Sequence, residues 1–250
     1  MKRITKSVLC CIGALGCMLM ALHFAWPTKC IGFVGMPKVT VAYTLSDDFE
    51  ETNTGGALGS GTDGFDDTQI VTTNGTPNQD YTGVVLSGAQ SLRLIVAADW
   101  VRYVLSSTQT EADFHCAFQP VALPSSGSQV LFELEQAGGA GTAPCAVYLY
   151  STGALKIFNG TSGGAATVST MTAGTSYRVW GHWKNDGTAS VAFAVKNGAE
   201  TRPTSGNNYD SVSGGNGTQA IKQVLLNNPT SEVIFDKVRL TTGALIPSIP

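Results

Sequence analysis

Charge is scarce in this sequence: Asp, Glu, Lys and Arg together make up 13% of 250 residues. No acidic residue precedes Asp47, yet residues 36–250 hold 11 bases against 18 acids, a net charge of −7. That balance supplies no basic face for phosphates and excludes nucleic acid as a partner. Cysteine is nearly missing where it would matter. Cys10, Cys11, Cys17 and Cys30 crowd the N-terminal segment, leaving only Cys116 and Cys145, too few for a disulfide scaffold. No apolar pattern of period 3.6 persists, which sets aside helical bundles and coiled coils. There is no Ser-His-Asp order, no metal-spaced His/Cys cluster, no phosphate loop and no dinucleotide fingerprint.

What is present is the vocabulary of strands and turns. The chain carries 29 glycines and is rich in Thr, Val, Ser and Asn. From Val39 onward, short apolar or alternating runs recur between clusters of Gly, Pro and Asn. These runs predict strands at 40–45, 69–72, 91–97, 101–106, 112–119, 129–136, 146–151, 154–159, 176–184, 190–196, 220–226 and 232–241. The implied class is all-β, with two packed antiparallel sheets. Residues 51–78 and 202–217 hold little that would enter a core and read as surface excursions. The tail from 241 to 250, with two prolines, reads as loosely held.

The first 35 residues read differently. Lys2, Arg3 and Lys6 precede an apolar run over 8–25 whose only polar side chain is His23, which is the chemistry of export. The run also has the length of a bilayer span, so residues 1–35 are expected to be a signal peptide or a membrane anchor plus linker. Residues 36–250 are expected to be a single domain. In this reading the membrane is a partner only through a retained anchor, and the domain is secreted or cell-surface. The alternative is translation from Met36, which removes the export signal and favours a virion component.

Ser46-Asp47-Asp48-Phe49-Glu50 and Gly55-Gly56-Ala57-Leu58-Gly59 open the domain, followed by Ser87-Gly88-Ala89-Gln90-Ser91-Leu92-Arg93-Leu94. Further along come Val130-Leu131-Phe132-Glu133-Leu134, Tyr148-Leu149-Tyr150, Tyr177-Arg178-Val179-Trp180 and Phe235-Asp236-Lys237-Val238-Arg239-Leu240. In this order the segments resemble the concanavalin A-like, laminin-G-like domains over residues 45–241. The resemblance implies a jelly roll whose first and last strands pair. It also implies a role in glycan binding, adhesion or secreted and viral structures, with some relatives cleaving glycans.

Alternation on the 176–184 strand puts Tyr177, Val179, Gly181 and Trp183 on one face and Arg178, Trp180, His182 and Lys184 on the other. If the second face is open, Trp180 is a sugar-stacking platform flanked by donors. The expected ligand-binding set is Arg178, Trp180, His182 and Tyr148. The alternative is that a loop or the 202–217 excursion covers Trp180, since a buried Trp is ordinary in sandwiches.

Glu133 and Glu135 share a strand face with Leu131, roughly 6.5–7 Å apart, a spacing at which paired carboxylates cleave glycosidic bonds. His115 would join that polar face. Related endoglucanases carry Glu-x-Asp with a further Glu, whereas here Glu135 is followed by Gln136, so the pair also reads as a solvated strand face. Calcium is the cofactor the acidic residues suggest: Asp47 and Asp48 on the first strand would meet Asp236 on the last. Turn capping is the alternative use of these aspartates. The 59–66 segment also matches one calcium-binding nonapeptide unit, a motif that works by stacking repeats.

Asn74, Asn159 and Asn216 each begin an Asn-Gly-Thr, a glycosylation acceptor and also a turn signal. Cys116 and Cys145, two elements apart, would lie roughly 9–10 Å from each other in one sheet, too far to bridge. Together these features point to a non-catalytic domain that binds glycan or serves in adhesion. A structural or assembly protein of a virion or cell-surface layer is the second reading, and a glycan hydrolase or lyase using Glu133 and Glu135 the third.

Overall fold

The structure is a computed structural model that describes residues 43–50, 70–74, 77–95, 99–137, 143–163, 170–197, 200–228 and 230–242. The expected signal or anchor segment, the 59–66 nonapeptide match, most of the first excursion and the tail lie outside the described residues. Two antiparallel sheets make up the fold. The front sheet runs β13 (Tyr209–Val212), β12 (Thr188–Val195), β11 (Tyr177–Lys184), β6 (Glu111–Pro120), β15 (Val233–Thr241), β4 (Ser91–Leu94) and β3 (Asn78–Tyr81), and β1 (Leu45–Asp47) pairs with β15. The back sheet runs β10 (Ser162–Gly163), β9 (Leu155–Asn159), β8 (Cys145–Tyr150), β7 (Ser128–Glu135), β14 (Ile221–Asn228), β5 (Asp99–Gln109) and β2 (Ile70–Asn74). This is an all-β sandwich, as the alternating runs predict, of the jelly-roll kind that the resemblance implies.

The apolar half of each alternating strand fills the space between the sheets. Phe114, Cys116, Phe118, Val179, Trp183, Phe235 and Leu240 of the front sheet meet Tyr103, Phe132, Leu134, Val147 and Leu226 of the back sheet in one cluster. Phe114 and Phe132 stack across the gap with ring centroids 4.1 Å apart. A Cβ at position 181 would run into the Phe114 ring, so β11 carries glycine where that ring crosses it. The Tyr103 hydroxyl donates to the buried Asp47 carboxylate at 3.0 Å, tying the two sheets by a polar contact.

The first and last strands pair as the resemblance implies, with Leu45 opposite Leu240 and Asp47 opposite Val238. β15 first follows β4, then shifts register between Asp236 and Arg239, where Lys237 adopts a φ of 47°, and continues beside β1. A bulge of this kind turns one strand so that it serves two partners. Cys116 and Cys145 lie in opposite sheets rather than in one, because β6 and β7 are not neighbours. Both are buried and free. Burial pushes the Cys116 thiol up to about 12 and raises that of Cys145 as well, so neither carries reactive thiolate.

Candidate functional site

β11 divides as its alternation requires: Trp183 packs in the core, whereas Arg178, Trp180 and His182 face the outer side of the front sheet. Along that side Trp180 lies between Ala192 of β12 and His115 of β6, with the Trp180 and His115 rings 5.5 Å apart. Trp180 is nevertheless only 1% exposed. An open stacking platform at Trp180 is therefore not what the chain builds. His115 is equally buried; burial, with help from the Arg178 and Arg239 charges, lowers its imidazole to about 3, so it stays neutral.

Two loops roof parts of this face. Leu86, with Tyr81 and Val84, packs on Ala117 and Ile234. On the other side Glu200 faces Arg178 at 3.5 Å, and Arg202 donates to Asp113 at 3.1 Å.

At the margin of this second roof is a cleft of about 220 Å³ lined by His182, Ser190, Arg202, Pro203, Thr204 and Tyr209. β11 and β12 supply His182 and Ser190 in direct register, and β13 brings Tyr209 opposite Ala192. Asp113 organises the wall: one oxygen accepts from Arg202 and the other lies 3.3 Å from His182 Nδ1, while Glu111 lies 3.8 Å from Nε2. Asp210, buried next to Tyr209, accepts the Ile157 N–H at 3.1 Å and pins β13 to β9. Arg202 and Tyr209 escape sequence reasoning because they lie in a stretch that reads as an excursion. The one available signal is the alternation of Tyr209-Asp210-Ser211-Val212.

Tyr148 does not join this set. It sits on the outer side of the back sheet, against the Phe158 ring at 4.8 Å, because β8 belongs to the other layer. Glu133 and Glu135 share that side, and His115, on the front sheet, cannot reach them. Burial and the neighbouring Glu135 raise the Glu133 carboxyl to about 7. Glu135 accepts from Arg102 Nε at 2.8 Å and Nη2 at 3.4 Å, and the Arg102 guanidinium lies over the Trp100 ring. The Glu135 carboxylate is thereby held in an ion pair with Arg102.

Two of the aspartates of the calcium expectation, Asp47 and Asp236, point to different sides of the front sheet. Asp47 points between the sheets to Tyr103 and accepts the Phe49 N–H, whereas Asp236 faces outward and accepts from Ser91. Burial raises Asp236 to about 7. Among the described residues no three His, Cys, Asp or Glu side chains are grouped to hold a metal.

Similar architectures exist among solved structures. A structure of botulinum neurotoxin type C, described through its interaction with two ganglioside molecules, matches 81% of this chain and 48% of its own, with 8% identity and a TM-score of 0.51. The botulinum neurotoxin serotype G binding domain matches 82% and 49%, with 7% identity and a TM-score of 0.47. A mutant Trypanosoma rangeli sialidase with trans-sialidase activity matches 69% and 27%, with 11% identity and a TM-score of 0.44. The chain thus spans about half the length of the neurotoxin structures. At such identities the likeness is one of fold. No protein-family model matches the sequence, and no curated protein matches it.

Proposed function

We propose that this chain is a non-catalytic, concanavalin A-like domain that binds glycan from a secreted or cell-surface position, with its sugar site in the cleft between His182 and Tyr209. The cleft itself carries the reading. Tyr209 and Pro203 offer apolar surface to the C–H face of a pyranose, while Arg202, His182, Ser190 and Thr204 offer hydrogen bonds to its hydroxyls. The hydrogen bond to Asp113 holds Arg202 in place before a ligand arrives, which limits the ordering cost of binding. A protein of similar fold that interacts with gangliosides agrees with this chemistry.

A glycan array probed with the protein, with and without calcium, tests it. Tyr209→Ala and Arg202→Gln should each weaken the best signal roughly tenfold or more. Absence of binding to any glycan in either condition overturns the reading, and particle growth in light scattering would then favour the assembly role.

A further inference from the structure

A second cleft, of about 210 Å³, is lined by Gln136, Gly160, Asn216 and Gln219. Its walls come from three separate places: the end of β7, the turn between β9 and β10, and the segment between β13 and β14. Three of the four residues are carboxamides, none is charged, and none offers an aromatic or aliphatic side chain.

The walls are braced by a repeated tripeptide. Asn159-Gly160-Thr161 and Asn216-Gly217-Thr218 dock on each other reciprocally: Asn159 Oδ1 accepts the Gly217 N–H at 2.7 Å, and Asn216 Oδ1 accepts the Thr161 N–H at 2.8 Å. Asn216 Nδ2 also lies 2.9 Å from Thr161 Oγ1. Trp183 Nε1 donates to the Gly217 carbonyl at 3.2 Å, and Gly160 donates to Pro144, so the brace is anchored to the core and to the start of β8. Gly160 adopts a φ of 61°, and a Cβ there would press on Asn216 and the Gly217 backbone. These Asn-Gly-Thr sequences thus serve as structural turns that fix the direction of the Asn216 amide.

We propose that this cleft is a second binding site, for an uncharged polyhydroxyl ligand: the hydroxyl edge of a neutral sugar. The Gln136 and Gln219 carboxamides each present a donor and an acceptor side by side, which matches a pair of adjacent hydroxyls, while Asn216, its Oδ1 taken by Thr161, keeps an amide N–H to offer. Among the lining residues an anionic group would find no cation and a cationic one no carboxylate, so neither gains an ion pair. An apolar ligand would find almost no surface to cover. The inference rests on the glycan-binding reading and adds to it a second point of attachment, distinct in chemistry from the charged, aromatic cleft at Tyr209. Two weak contacts on one domain raise avidity for a polymeric glycan well beyond either alone.

The side-chain NH₂ signals of Gln136, Asn216 and Gln219 in ¹⁵N–¹H spectra give a direct readout. Titration with methyl glucoside, galactoside and mannoside should move these signals saturably for at least one of them, and glucuronate and glucosamine should move them less. The double variant Gln136→Ala/Gln219→Ala should weaken the shifts at Asn216 roughly tenfold, whereas Tyr209→Ala should leave them unchanged. Unmoved amide signals up to about 100 mM of every neutral glycoside, shifts insensitive to the double variant, or preference for a charged sugar overturns the proposal. Array binding lost in Tyr209→Ala beside silent amides would refute this second site alone. Shifted amides beside an array signal indifferent to Tyr209 would refute only the first.

Discussion

On the outer side of the front sheet, Trp180, His115 and Asp236 are each at most 1% exposed, whereas on the outer side of the back sheet Tyr148, Arg102 and Glu133 remain half-buried. The strands beneath are built alike, with polar and aromatic residues alternating against the core. The difference comes from loops: Leu86 and its neighbours cover one part of the front sheet, and the chain from Glu200 to Tyr209 borders another. Roofing a sheet face turns its polar positions from solvated side chains into interior groups whose protonation and partners matter. It also creates an edge where roof and sheet meet, and the Tyr209 cleft is at that edge.

The largest test of this contrast is truncation. Trp180→Ala should cost about 3–5 kcal/mol in urea unfolding, as for a core aromatic, and Tyr148→Ala about 1 kcal/mol or less. Equal costs would mean that the front face is not covered.

His115 on the front face and Glu133 on the back should respond to pH with opposite sign. His115 has its native pKa near 3, below the usual 6.5, so the unfolded chain binds the extra proton and stability falls as pH drops from about 6.5 toward 3. Glu133 has its native pKa near 7, above the usual 4.5, so the native state binds the extra proton and stability falls as pH rises from about 4.5 to 7. His115→Gln should remove roughly 2–3 kcal/mol of the acid-side loss, and Glu133→Gln about 1–2 kcal/mol of the loss on the other side. Asp236, on the front sheet, slopes in the same direction as Glu133 and is best read separately with Asp236→Asn. Urea midpoints collected from pH 3 to 8 check both slopes, and slopes of one sign for His115 and Glu133 would contradict the burial described.

The smallest effect concerns ion pairs. A double-mutant cycle on Arg202 and Asp113, beneath the roof, should give a coupling of about 1–2 kcal/mol, and one on Arg102 and Glu135, on the open side, about 0.5–1 kcal/mol. A reversed order would show that the roof loop is not held by Asp113.

Most strands were legible because half-buried strands write their alternation into the chain. The twelve sequence-predicted runs each meet an observed strand, although β1 begins only at Leu45, where the reading ended it. β3, β10 and β13 were missed: Asn-Gln-Asp-Tyr, Ser-Gly and Tyr-Asp-Ser-Val lie at sheet edges and carry too few apolar residues to signal a buried face. Alternation names the two faces of a strand, but it does not say to which sheet the strand belongs. For that reason Tyr148 was grouped with Trp180, and His115 with Glu133, although each pair is divided between opposite sides of the sandwich. The register shift between Val130 and Phe132 had a similar effect, burying both Leu131 and Phe132 where strict alternation leaves Leu131 beside Glu133. The Tyr209 cleft was illegible because most of its lining comes from residues 202–209, whose sequence shows no period.

The position of the two final strands has a consequence for how the chain is made. β14 lies between β7 and β5, and β15 between β6 and both β4 and β1. The back sheet therefore lacks an interior member until residue 228 has been made, and the front sheet until residue 241. Until then β5, β6 and β7 each present an unpaired edge, the condition under which strands add to the wrong neighbour. Synthesis of this protein should accordingly favour holding the nascent strands unpaired until β14 and β15 emerge, with closure of both layers coming late.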